Sequence, residues 1–156
     1  MADQTVADLQ GRLQRLEDKD AIITLLNKYC TFANNHQWDE YTFCFLENGI
    51  VKFEDWEDVV GREKIAALIG SSEDRFQGLQ HSLTNVELSI DGDQVTGICY
   101  LRFAATLNTS KPYEYHGFGE PYDFSFRRTK HGWKIATLQL KKIWAQNQDT
   151  EGVFGG

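Results

Sequence analysis

Apolar residues return every three or four places along the first 35 positions of the chain. Leu9, Leu13 and Leu16 mark one stripe with charges between them, and a stronger stripe of Ile22, Leu25, Leu26, Tyr29, Phe32 and Ala33 follows. That period is helical and predicts a helix over residues 5–35. Asn34-Asn35-His36 should end it, because short polar side chains compete with the helical backbone and favour caps and turns. A second, short helix is expected over 38–45, with Trp38, Tyr41, Cys44 and Phe45 on one side. GIVKFEDW, residues 49–56, reads as a first strand after an Asn48-Gly49 turn. Gly61 then opens a third helix, REKIAALIG, whose apolar side is Ile65, Leu68 and Ile69.

Beyond Gly70 the period falls to two. Strands are predicted near 82–90, 94–107, 113–128 and 133–145, with Asp91-Gly92-Asp93 and residues 129–132 as tight connections. Alternation sets His81, Leu83 and Asn85 on one face of the first of these strands and Val86, Leu88 and Ile90 on the other. A bulge would reverse that parity, and strongly curved sheets need bulges. Residues 147–156 are polar and Gly-rich, so a flexible tail or lid is expected there, leaving one domain over 1–146. Helices first and a long antiparallel meander afterwards predict an α+β fold, the N-terminal helices packed on a strongly curved, mainly antiparallel sheet. Such a sheet wraps its helices like a cone and leaves a pocket at the wide end.

Composition narrows the function classes. At 156 residues, 41% hydrophobic and 13% aromatic, the chain can build one real core and has aromatic rings to spare for lining a cavity. A formal charge of −7 repels phosphate backbones and anionic lipid, so neither nucleic acid nor membrane is an expected partner. Cys30, Cys44 and Cys99 show no CxxC and no Cys/His ligand spacing; they read as reduced thiols packed as small hydrophobes, with no metal site. The N-terminus lacks the basic and apolar regions of a secretory signal, and no apolar run approaches a membrane span, so a cytoplasmic location is expected.

The candidate chemistry gathers around His81, which stands at the start of a strand with an otherwise plain pattern. It is either a polar strand end or the proton-handling group of a pocket. In YEYHGFGEPYDF, alternation groups His116, Phe118, Glu120 and Tyr122 on one face. Gly117, Gly119 and Pro121 between them suggest a bulge or rim where another group approaches the backbone closely. Tyr29 lies on the apolar side of the first helix, and its hydroxyl needs a partner if buried. Either Tyr100 and Arg102 or Cys99, Leu101 and Phe103 face inward. Trp144, at the end of the last strand, either closes the pocket mouth or meets another subunit. Phe53, Glu54 and Asp55 end the first strand beside the presumed pocket, whereas His36 and His131 sit in turns.

NNHQWDEYTFCF, then a strand, then GREKIAAL, resembles the opening of SnoaL-like proteins of the NTF2-like superfamily. QHSLTNVELSIDGDQVTGICYL and GEPYDFSFRRTKHGWKIATLQLKKIW extend the resemblance over residues 18–146. The resemblance implies a cone-shaped barrel, usually a homo-oligomer (dimer or trimer), with a deep pocket for a small molecule. It implies dehydration, dehydrochlorination, polyketide cyclisation or isomerisation, and the first two need no cofactor. In the dehydratase and dehydrochlorinase members a His at the position of His81 is the base, and an Asp near the end of helix one orients it. Here that position is Asn34, which can hydrogen-bond the ring but brings no charge.

The expected activity is therefore a cofactor-independent lyase or isomerase acting on a carbonyl-containing, polyketide- or terpenoid-like molecule. Its expected catalytic residues are His81, Asn34, Tyr29 and Glu120. Phe53, Glu54, Tyr100, His116, Phe118, Tyr122 and Trp144 are expected to bind substrate. Glu54, Asp55 or Glu120 would supply the missing carboxylate, or His81 acts only as a neutral donor. Two other readings stand beside this one: a non-catalytic ligand-binding protein, and a steroid-isomerase-like enzyme with a carboxylate base and a tyrosine donor.

Overall fold

The computed structural model describes residues 2–54 and 56–147, so Asp55 and the tail from 148 onward lie outside the described residues. The elements run α1 (Ala2–Asn34), α2 (Trp38–Phe43), β1 (Phe45–Phe53), β2 (Val59–Val60), α3 (Arg62–Glu73), β3 (Gly78–Asp91), β4 (Gln94–Thr106), β5 (His116–Thr129), β6 (Gly132–Leu140) and β7 (Trp144–Gln146). One sheet takes the order β2-β1-β6-β5-β4-β3, with β7 beside β5 off this path. Among the described residues only the β1–β6 pairing is parallel; the others are antiparallel. The sheet does not close on itself, so the cone stays open between its β2 and β3 edges. The architecture is the expected α+β one, helices against a curved and mainly antiparallel sheet.

Of the two stripes read on the first helix, the stronger is the buried one, and Leu9, Leu13 and Leu16 of the other are exposed. Ile22, Leu26, Tyr29 and Ala33 of α1 are almost fully buried and meet Phe45 and Val51 of β1, Leu101 and Phe103 of β4, and Phe124 and Phe126 of β5. Phe45 begins β1 and does not end α2: it pairs with Ile135 of β6, and its carbonyl accepts two bonds from the Arg62 guanidinium, at 2.6 and 3.0 Å. The helix after Gly61 runs three residues past Gly70, whose backbone stays helical while Asp74 N–H bonds the Gly70 carbonyl. The last predicted strand divides in two, because residues 141–143 leave the β6 ladder before β7 rejoins β5.

The curvature has a visible cause in β3. Between Thr84 and Glu87 the register slips against β4, and Asn85 takes a left-handed φ of 56°. This bulge reverses the parity of the strand. Leu79, His81 and Leu83 before it and Val86, Leu88 and Ile90 after it are the more buried positions, so the two sets share the inner face and do not oppose one another.

At the far end, the RRT-x-x-GW sequence of the β5–β6 hairpin is explained by a clamp. Arg128 makes a two-pronged bond at 2.8 Å to the buried Asp18 of α1, and its guanidinium lies 4.5 Å over the Trp133 ring. The Trp133 indole N–H also donates to Asp18, at 3.2 Å. These bonds hold the Asp18 carboxyl below its ordinary range and tie the long helix to the sheet.

Candidate active site

Inside the cone, α1, α2, α3, β1, β3, β4, β5 and β6 wall a cavity lined by Tyr29, Tyr41, Val51, Phe53, Leu68, Ile69, Glu73, His81, Leu101, Phe118, Glu120, Tyr122, Leu138 and Leu140. A wider depression on the outer face of the sheet is open to solvent, and its titratable members, Lys52, Glu87 and Asp123, are exposed or half-buried. The inner cavity combines enclosure with buried ionisable groups, Glu73, His81 and Glu120. Its free space is about 30 Å³, room for a water or two and not for a ring system. Leu68, Ile69 and Phe118 are its half-buried members, so these side chains mark where it comes nearest to solvent.

His81 lies inside the strand rather than at its start, since β3 begins at Gly78, and it is 8% exposed. Its ring packs edge-on against Phe103, its cross-strand partner, with centroids 5.0 Å apart. Asn34, the last residue of α1, reaches across to it. Asn34 Oδ1 accepts the His81 backbone N–H at 2.7 Å and faces His81 Nδ1 at 2.9 Å. The backbone N–H can only donate, which identifies the Asn34 atom as its oxygen. The same oxygen faces Nδ1, so Nδ1 must carry a hydrogen. Asn34 thereby fixes the tautomer and ring orientation that a carboxylate would have fixed, without its charge.

A carboxyl group stands at the other ring nitrogen. Glu73, at the end of α3 and 6% exposed, places Oε1 3.5 Å from His81 Nε2. Glu73 escapes a reading that ends the helix at Gly70 and takes the chain beyond it for sheet. The sequence did hold a signal: Ile65, Ile69 and Glu73 recur at helical spacing, so a helix carried past Gly70 presents Glu73 on its inward side. The end of α3 is pinned from outside, where the Trp38 indole donates to Asp74 at 2.5 Å.

Two strands along the sheet from β3, Glu120 and Tyr122 of β5 line the same cavity, with Tyr29 and Tyr41 beside Tyr122. The Tyr41 hydroxyl donates to Tyr29 at 3.1 Å, and the Tyr29 and Tyr122 hydroxyls are 3.4 Å apart. Burial pushes all three phenols well above their ordinary range, so they are hydrogen-bond donors, not phenolates. Burial likewise pushes the Glu120 carboxyl up to about 8, with the Glu54 carboxylate adding to the rise and a hydrogen bond from Tyr122 opposing it. Glu120 is therefore mostly protonated near neutral pH. Glu73 and Glu120 each leave one buried oxygen, Oε2, without a hydrogen-bond partner among the described residues. Two acceptor-capable oxygens of one cavity thus await a partner, as a ligand site requires.

The sequence-derived candidates divide cleanly. His81, Asn34, Tyr29, Glu120, Phe53, Phe118 and Tyr122 come together at this cavity, Asn34 through its bond to His81. Glu54 does not line it: the side chain is exposed and its Oε1 caps the Lys142 backbone N–H at 3.0 Å. Tyr100 is 48% exposed, because alternation on β4 turns Leu101 and Phe103 inward instead. His116 shares the Phe118–Tyr122 face but lies beyond the cavity, where its Nδ1 meets the Asn147 carbonyl and its ring approaches Phe76. Trp144 covers Gly119 on the opposite face from Glu120, so closely that any Cβ at Gly119 would collide with the indole. Tyr41 and Glu73 are the additions.

Cys44 and Cys99 are buried and Cys30 half-buried; burial lifts these thiols to about 11, 12 and 12, far from a nucleophile's range. Among the described residues no group of three or more His, Cys, Asp or Glu side chains is arranged to hold a metal ion. No helix there is long and apolar enough to cross a membrane.

A SnoaL-like domain matches the chain over residues 14–139. The chain belongs to the SnoaL-like family. No curated protein matches it in sequence. Solved structures of the same fold include an NTF2-like protein with a cystatin-like fold from Novosphingobium aromaticivorans, 21% identical over 86% of this chain and 88% of that one, with a TM-score of 0.72. A protein provisionally assigned as a scytalone dehydratase, from the same species, is 15% identical over 88% and 92% of the two chains, at 0.75. The hexachlorocyclohexane dehydrochlorinase LinA-type3 from Novosphingobium barchaimii is 19% identical over 86% and 92%, at 0.74. At these identities the likeness is one of fold.

Proposed function

We propose that this SnoaL-like protein is an acid/base catalyst of the lyase/isomerase kind, acting on a carbonyl-containing and largely apolar small molecule. The reading rests on one observation: a buried His81 held between Asn34 and Glu73, in the lining of a cavity that also holds the proton-bearing Glu120. His81 and Glu73 together form the base. The proton taken from a carbon next to the carbonyl goes to this pair, as an imidazolium facing a carboxylate or as a neutral ring facing a carboxylic acid. Either way Asn34 keeps the Nδ1 hydrogen in place. As negative charge grows on the carbonyl oxygen, Glu120 or a tyrosine hydroxyl donates to it. An acid and a base so placed are each worth about 10²–10⁴-fold in rate. Loss of water, loss of a halide, ring closure or double-bond migration all follow from the same enolate-forming step. Dehydration and dehydrochlorination agree with the names carried by two of the structural neighbours.

Glu120 favours a second reading. A buried carboxyl among tyrosines is also the arrangement of a steroid-isomerase-like enzyme, in which Glu120 rather than the His81–Glu73 pair would move the proton.

One experiment separates these readings. 2-Tetralone is incubated with the protein in D₂O, its binding is established by saturation-transfer NMR, and exchange of its α-hydrogens is followed. Exchange faster than buffer, abolished in Glu73→Gln and His81→Ala but only slowed in Glu120→Gln, is the expected result. Loss confined to Glu120→Gln transfers the base role to Glu120. Bound tetralone with no acceleration overturns the catalytic reading and leaves a ligand-binding protein.

A further inference from the structure

Residues 4–17 of α1 are exposed on every side, so the N-terminal half of the helix stands clear of the sheet. At 1.5 Å per residue this arm projects about 21 Å. An isolated helix of that length with Gly11 inside it is marginal in water, and helical order is normally secured by packing an apolar face. The arm has such a face, and among the described residues nothing covers it. Val6, Leu9, Leu13 and Leu16 are each 54–65% exposed.

Their spacings are three, four and three. This is the a/d seam of a coiled coil, narrower than the stripe a helix turns to a globular core. The seam ends where the arm meets the sheet. The next a position is Asp20, Asp18 is already turned inward to hold Arg128, and from Ile22 onward the apolar face belongs to the core.

Charge selects the partner and its direction. With Val6 at a, Arg12 is a g position and Glu17 is the e position five residues later. A parallel second copy sets Arg12 of each chain against Glu17 of the other. An antiparallel copy instead brings the g rows together, and these carry Arg12 and Lys19. Val at an a position and Leu at both d positions suit two strands.

We propose that residues 4–17 form a parallel two-stranded coiled coil with a second copy of this chain, holding two sheets side by side. Sedimentation velocity on the full chain tests it. The expected result is a dimer that Leu9→Glu with Leu13→Glu converts to monomer, while melting of the folded body is unchanged because both side chains are exposed. Arg12→Glu or Glu17→Arg alone should weaken the dimer by about three- to tenfold, and the two together in one chain should restore it. Leu9→Cys should cross-link to itself on mild oxidation, as an in-register d–d pair must. A monomeric parent chain, an oligomer that the Leu9/Leu13 change leaves intact, or a charge exchange that fails to restore association would each overturn the proposal.

Discussion

At the scale of single residues, the site turns on what each His81 ring nitrogen faces. Asn34 serves two donors with one oxygen, so Asn34→Leu strands a buried backbone N–H and frees the ring. Chemical denaturation should show a loss of about 1–3 kcal/mol, with the His81 ring signals broadened or split in NMR spectra. Asn34→Asp adds a carboxylate beside Nδ1. The His81 ring signals of that variant should shift in NMR spectra, because the Nδ1 hydrogen then meets a charged acceptor. Glu120 makes the opposite kind of statement. Its folded pKa of about 8 lies above its unfolded value, so between roughly pH 4.5 and 8 the folded state binds a proton that the unfolded chain has released. That contribution is fully present below the unfolded pKa and is lost as pH rises through 8. Stability should therefore fall by about 3–5 kcal/mol across this window, and Glu120→Gln should flatten the dependence in urea titrations from pH 5 to 8.5. An unchanged slope in Glu120→Gln would show that Glu120 is not the group responsible.

At the scale of elements, local pattern and tertiary demand part company at three places. α3 runs through Gly70 because glycine stops a helix only where the chain turns left-handed, and here Asp74 and Trp38 hold the last turn in place. β3 changes parity at Asn85, a position that polar/apolar alternation cannot announce because the extra residue is defined only against β4. β5 carries a glycine, Gly119, whose purpose is legible only with β7 present. Gly119→Ala should expel the Trp144 indole from the strand, seen as a red shift in tryptophan emission and a lower melting temperature. The clamp from α1 to the β5–β6 hairpin belongs to this scale too. Asp18→Asn keeps the shape but removes the charge facing Arg128, and a loss of about 1–3 kcal/mol is expected in denaturation midpoints, moderated by the partial exposure of Arg128. Because the Asp18 pKa is depressed, its contribution is present above the unfolded value near 4 and fades as the solution is acidified through the folded one.

At the scale of the whole molecule, an open cone converges on a cavity that is chemically equipped but nearly filled. A ring-bearing ligand must displace side chains, and Leu68 and Ile69 of α3 are, with Phe118, the half-buried ones. Leu68→Ala should strengthen 2-tetralone binding in saturation-transfer titrations while leaving the His81–Asn34 bond intact. Weaker binding in that variant would place the ligand's route elsewhere.

The sequence by itself determined the three helices, the long strands and the α+β class, and it named Tyr29, Phe53, His81, Phe118, Glu120 and Tyr122 among the residues that line the cavity. Its periods of 3.6 and 2 record which face of each helix or strand leaves water, and that is a local property. His81, Asn34, Tyr29, Glu120 and Tyr122 were legible because a polar group amid apolar alternation must meet either solvent or a partner. The tertiary structure alone decided the partners. His81 meets Asn34 across 47 residues of chain, and Glu73 meets His81 only because α3 keeps one more turn than its glycine suggested. It also removed Tyr100 and Trp144 from the cavity, since the inner side of a strand is fixed by the curvature of the sheet around it. Distances between elements remote in sequence depend on how all of them pack, and no pattern read along one segment contains that information.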